Sequence, residues 1–291
     1  MSVRSLFSSG RPSARPASGA AGGGLALDRG APLTEVGFEA ARSALGVDAP
    51  RLLAVMRIEA MGCGFLADRR PVILFERHVF HRRTAGRFDA RDPDVSAPRP
   101  GLYGPAGANQ HARLARARAL DENAALESAS WGLGQVMGFN ARIVGFADVR
   151  AMVAAMEAGE DAQLAAMVAY IRATGLASAL ARGDWRAFAR GYNGPDFARN
   201  AYDRRLAEAH RLYETGGLAR PDLGLRALQM FLLYAGFSPG PIDGQDGPRT
   251  RRALAAFRAA DGRGGREAAA PGEEDRRALL AALASASERA A

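Results

Sequence analysis

A chain of 291 residues, 48% of them hydrophobic, has the apolar material for a sizeable core and the length for two domains. Its formal charge is +8, and because no lysine occurs, arginine carries the positive charge; that planar fork suits carboxylate and phosphate, so an anionic polymer is the expected partner. One cysteine, Cys63, excludes an internal disulfide, and no run is long and apolar enough for a signal segment or a membrane span.

Residues 1–30 are rich in Ser, Gly, Ala, Pro and Arg without periodicity, which predicts a flexible basic tail able to touch an anionic envelope surface. From Ala31 the pattern turns helical, and Asp48 with Pro50 predicts the start of a second helix. Leu52, Val55, Met56 and Glu59 recur in it at helical spacing, so one carboxylate shares the apolar face before Gly62 and Gly64 break the pattern. Burial raises the pKa of such a group and makes it a proton donor near neutrality; the alternative is an outward turn or a pairing with arginine.

Pro71 to Phe80 is a short apolar run ending in Glu76, Arg77 and His78, and residues 88–107 are dense in Asp, Pro and Gly, a long loop of the functional kind. Helical periodicity covers 110–128, stops at Gly132 and Gly134, and resumes over 139–146. Further helices are predicted at 149–156, 161–174, 185–191 and 197–213, with Tyr192, Asn193 and Gly194 in a loop between the last two. Few β-branched runs occur, so the chain reads as mainly helical. Residues 215–221 form a linker by composition, and helices at 223–234, 249–260 and from about 273 make a small three-helix domain over 222–288.

The last part places Gln229, Gly240, Ile242, Asp243, Gly244, Gly247, Pro248, Thr250 and Phe257 in a spacing that resembles the three-helix peptidoglycan-binding module. Asp243 and the glycines permit a tight turn, Thr250 is placed to cap the next helix, and the resemblance implies that Gln229, Asp243, Gly244 and Thr250 belong to a wall-binding site. Asp246 and Arg258 depart from the family pattern, which commonly has an aromatic residue and a glutamine there.

Four motifs, IEAMGCGFL (58–66), RPVILFERHVFHRRTAGRFD (70–89), SASWGLGQVMGFN (128–140) and ARGYNGPDF (189–197), resemble in order the N-acetylmuramidase domain of phage endolysins, over 31–214. The resemblance implies a lysozyme-like helical fold that hydrolyses peptidoglycan between N-acetylmuramic acid and N-acetylglucosamine, with Glu59 as general acid. Glycosidases ordinarily use a second carboxylate. Glu76 is the first candidate, Asp89, Asp92 and Asp94 the next, and Glu127 the weakest. Trp131, Gln135, Tyr192 and Asn193 are expected to hold sugar rings, aromatic faces packing on C–H groups and amides bonding hydroxyls.

A lytic transglycosylase, which leaves 1,6-anhydro ends, and a non-catalytic wall-binding or virion protein are the competing readings. Cys63 with His78 lacks the orienting partner of a thiol peptidase, and His78, His81 and His111 lack the clustering of a metal site, so neither metal nor cofactor is expected. Nucleic-acid binding would rest on net charge alone. The expectation is a monomer made in the cytoplasm without a signal peptide and acting on the bacterial wall after release.

Overall fold

The computed structural model describes residues 27–59, 62–264 and 270–290. Most of the expected basic tail lies outside them; residues 27–30 are tied down, Leu27 packing on the C-terminal module and Gly30 O accepting from Tyr234 Oη at 3.0 Å. Thirteen α-helices and one small sheet make up the described residues.

Helix α1 (Glu35–Leu45) begins where Thr34 Oγ1 accepts the amide of Gly37 and ends on left-handed Gly46. Helix α2 (Ala49–Glu59) begins at Asp48, whose Oδ1 accepts from Arg51 N, with Pro50 in the first turn. Leu52 through Met56 are all buried, and at about 1.5–3 kcal/mol for each large side chain removed from water this helix anchors the larger core.

The apolar run after Pro71 becomes a strand, β1 (Ile73–Phe75), followed by α3 (Arg77–Arg83). It pairs antiparallel with β2 (Ala129–Trp131), which pairs with β3 (Val136–Met137); Ile73 faces Trp131 and Trp131 faces Val136. The mainly helical reading stands, but the sheet is an addition to it. Strands of two or three residues are too short to leave an alternating pattern.

The helix expected over 110–128 is two helices, α4 (Ala108–Leu120) and α5 (Glu122–Glu127), because Asp121 turns the chain and caps the second through its bond from Ala124 N. Residues 138–140 form one 3-10 turn rather than a resumed helix. Then come α6 (Val149–Ala158), α7 (Glu160–Ala173), α8 (Ala177–Arg182), which the periodicity did not single out, and α9 (Trp185–Asn193). A 3-10 stretch, Pro195–Asn200, precedes α10 (Tyr202–Glu214), so the long helix expected over 197–213 is interrupted at Ala201, where φ is +49°. Helix α10 packs along α2.

Helices α11 (Leu223–Tyr234), α12 (Pro248–Ala260) and α13 (Glu273–Ala290) surround a second core of Leu228, Phe231, Leu232, Leu254, Phe257 and Leu279. Arg258, one departure from the module pattern, is a buried partner of Asp275, with Nη2 at 2.6 Å from its carboxylate. Residues 215–221 connect the modules but are fastened: Arg220 pairs with Glu35 at 2.8 Å and lies over the Phe38 ring.

The modules also dock directly. Arg226 of α11 pairs with Glu160 of α7, both almost completely buried, and its Nη2 donates to Gly62 O at 2.5 Å. Glu160 in turn accepts the amides of Leu33 and Gly64, while Phe65, Met230 and Ile242 close an apolar seam beside it. Gly62 has φ +100°, and a Cβ there would sit 3.0 Å from Ile242 O, so this seam requires glycine.

Candidate active site

Glu59 is the last residue of α2, half-buried where the helix runs out of the core. Asn193 Nδ2 donates to its Oε1 at 3.0 Å. Burial pushes the Glu59 carboxyl up, and the Asn193 bond and the charge of Arg205 pull against that rise. Asn193 Oδ1, next to the acid, is buried without a hydrogen-bond partner.

Tyr192 and Asn193 occupy the final turn of α9, not a loop; Gly194, at φ +83°, ends the helix directly after them. Tyr192 is clamped: its ring stacks on Phe188 at 5.4 Å, meets Tyr170 edge-on at 5.5 Å, and its Oη donates to Gly134 O at 2.7 Å. Its hydroxyl is raised well above an ordinary phenol, by burial first and the nearby Glu59 charge second, so it acts as a fixed strut.

Gly134 belongs to the hairpin between β2 and β3. Gln135 sits there at φ +45° with its carboxamide fully engaged, Nε2 donating to Gly132 O and Val72 O and Oε1 accepting from Ser130. It shapes the hairpin. Trp131 is 2% exposed and donates through Nε1 to Leu126 O, so the structure places its indole in the core and leaves no face for a sugar.

Glu76 lies in a different neighbourhood. It precedes α3, its carboxyl sits against Tyr103 and 3.1 Å from His78 Nδ1, and burial raises it while Tyr103, Arg113 and Arg82 oppose the rise. The other candidates are engaged too: Asp89 with Ser96 and His81, Asp92 with Arg91, Asp94 with Arg116 and Glu127 with Arg83. Cys63 is pushed up to about 12, by burial first and by Glu160 second, and its Sγ donates to Phe65 O, which removes the thiolate a peptidase would need. His81 is held by Asp89 and His111 donates to Pro71 O; among the described residues no group of His, Cys, Asp and Glu is arranged to hold a metal ion.

These contacts join the four sequence motifs into one site. Asn193 reaches Glu59, Tyr192 reaches the 132–135 hairpin, Gly132 N donates to Val72 O at 2.8 Å, and Val72 N donates to Gly64 O at 2.8 Å. The N-acetylmuramidase family profile matches residues 48–214, which takes in every one of them. The chain belongs to the N-acetylmuramidase family. It is thereby a peptidoglycan hydrolase of mainly helical, lysozyme-like architecture. Among solved structures it is similar to the Burkholderia AP3 phage endolysin, at 38% identity over 64% of this chain and 72% of that chain, with a TM-score of 0.59. No curated protein matches it.

Within the muramidase domain, Gln163 was not singled out from sequence. It is fully buried one helical turn after Glu160; its Oε1 accepts Leu133 N and its Nε2 donates to Met156 O and Gly64 O, tying the segment after Glu59 to the hairpin. A usable signal existed for the docking pair, since an arginine at position 226 inside a largely apolar helix demands a buried acid.

Proposed function

We propose that this muramidase cleaves the glycosidic bond between N-acetylmuramic acid and N-acetylglucosamine, with Glu59 as the general acid. The observation that carries this is Glu59 itself: a carboxyl at the edge of the core, raised by burial and held in one orientation by Asn193. Glu59 gives its proton to the leaving oxygen as the bond to the anomeric carbon breaks; water adds to that carbon and releases its proton to bulk solvent, from which Glu59 is protonated again.

A lytic transglycosylase stays the second reading for a specific reason. The groups acting on Glu59 are Asn193 and Arg205, and Glu59 acts in turn on Tyr192 and Tyr202; none is a carboxylate, and one acid suffices when the muramic 6-hydroxyl replaces water. In the C-terminal module, wall binding remains part of the proposal, with altered roles for four residues. Gln229 Oε1 accepts the amides of Asp243 and Gly244, and its Nε2 reaches Asp243, Gln245 O and Thr250 Oγ1. These residues hold the loop in shape, and Thr250 lies inside α12 bonded to Pro239 O instead of capping the helix. The bacterial wall is the substrate, and no described helix is long and apolar enough to cross a membrane.

Because the proton must be on Glu59, activity should persist above the ordinary carboxyl range and fall as pH rises through the raised value. Asn193→Ala removes a bond that favours the ionised form, so the falling limb should move to higher pH while turnover drops about tenfold or more. The rate of sacculus clearance measured against pH checks both; a limb that stays put or moves down would remove Glu59 from the acid role.

A further inference from the structure

Where the docked modules meet, a cavity of about 720 Å³ opens between the end of α2, α10, the 217–221 connection and the 241–245 loop. That volume lies within the range of ligand sites. Both modules supply its walls: Arg57, Ile58 and Arg205 from the muramidase domain, Asp243 and Gln245 from the C-terminal one. The Arg226–Glu160 pair and the Arg226 bond to Gly62 O fix the two walls relative to each other, and the Gln229 bonds hold the 243–245 wall in shape.

Neither Arg57 nor Arg205 forms an ion pair among the described residues; Arg205 lies over the Tyr202 ring. The opposite wall carries one carboxylate, Asp243, whose Oδ1 accepts from Gln229 and from the Gln245 amide. With Arg226 neutralised by Glu160, two guanidinium groups against one carboxylate leave the cavity net positive, which favours an anionic ligand. The cavity is linked to the acid through Arg205, which lines it and whose charge acts on Glu59.

The substrate class narrows the ligand. In an intact strand the lactyl carboxyl of muramic acid is bound up as an amide to the peptide, so the free carboxylates near the scissile bond belong to that peptide. We propose that the cavity at the module junction binds the peptide arm of the peptidoglycan strand, with Arg57 and Arg205 taking its carboxylates and Gln245 its backbone. This rests on the reading of Glu59 as the acid that cuts beside the muramic residue. It also gives the docked C-terminal module a share in recognition that a loose tether could not have.

The test uses the full chain on two soluble substrates, glycan strands that carry their peptides and the same strands stripped of peptide by an amidase. The parent should show the lower KM on the peptide-bearing strands. Arg57→Gln, at an exposed position, should raise that KM about fivefold and leave kcat and the stripped-strand kinetics unchanged. Gln245→Ala, in the other module, should give a smaller change of the same kind. Equal KM values for the parent on both substrates would overturn the proposal. So would a variant that weakens both alike, since stripping exposes the lactyl carboxylate and an equal loss would assign the site to the sugar. Glu59→Gln keeps the two ideas apart: if it remains active the acid assignment fails, while the comparison of parent and Arg57→Gln still reports on the cavity.

Discussion

Glu59→Gln is expected to lower peptidoglycan turnover about 10³-fold, the loss that removal of a positioned general acid brings. The substituted amide keeps the size of the carboxyl and can still accept from Asn193, so the site should stay assembled. Stability should move the other way. Burial raises Glu59 above its usual value of 4.5, so the folded protein gives up stability as pH rises from there toward the raised value, where the unfolded chain is already ionised. Glutamine carries no such penalty. At pH 7 the variant should therefore unfold at the parent's Tm or above, with the difference vanishing below pH 4.5. A lost rate together with a lowered Tm would point to misfolding instead of missing chemistry.

Arg226→Met should destabilise the chain by about 3–5 kcal/mol. The arginine is 4% exposed and its partner Glu160 is 0% exposed, so the substitution strands a carboxylate with only the amides of Leu33 and Gly64 for company. For a protein of this size the loss corresponds to a fall in Tm of about 10 °C. Because Arg226 also holds Gly62 O, three residues beyond the acid, activity should fall at temperatures where the protein is still folded. Adding Glu160→Gln removes the stranded charge and should recover part of the Tm. Thermal unfolding of the single and double variants measures this, and a single variant within about 2 °C of the parent would mean the modules do not depend on the pair.

The contrast between Glu59 and Arg226 explains how much could be read in advance. The place of Glu59 at the core end of α2 was legible because its signal is local: an acid on an apolar face, an N-cap at Asp48 and a glycine stop, all within one helix. The four motifs were legible for the same reason, and their bonds through Asn193, Tyr192 and Val72 bring them together. The Arg226–Glu160 pair joins residues 66 apart, so no local pattern named the partner, and the chain read as two units joined by a linker. Short-range ambiguity accounts for other misses. Trp131 carried a type of side chain common in sugar clefts, but β2 is buried on both faces and takes the ring inward. Gly194 after Tyr192 and Asn193 suggests a loop in sequence, although a glycine at that place equally ends a helix, as it does here.

The most direct test of the whole account is the chemistry of the ends that the parent protein makes. Soluble fragments released from purified sacculi would be analysed by mass before and after reduction with borohydride. The account predicts new reducing ends on N-acetylmuramic acid, shifted by the two hydrogens of reduction. Ends that resist reduction, lighter by one water as 1,6-anhydro sugars are, would contradict hydrolysis, and reducing ends on N-acetylglucosamine would contradict the assigned bond.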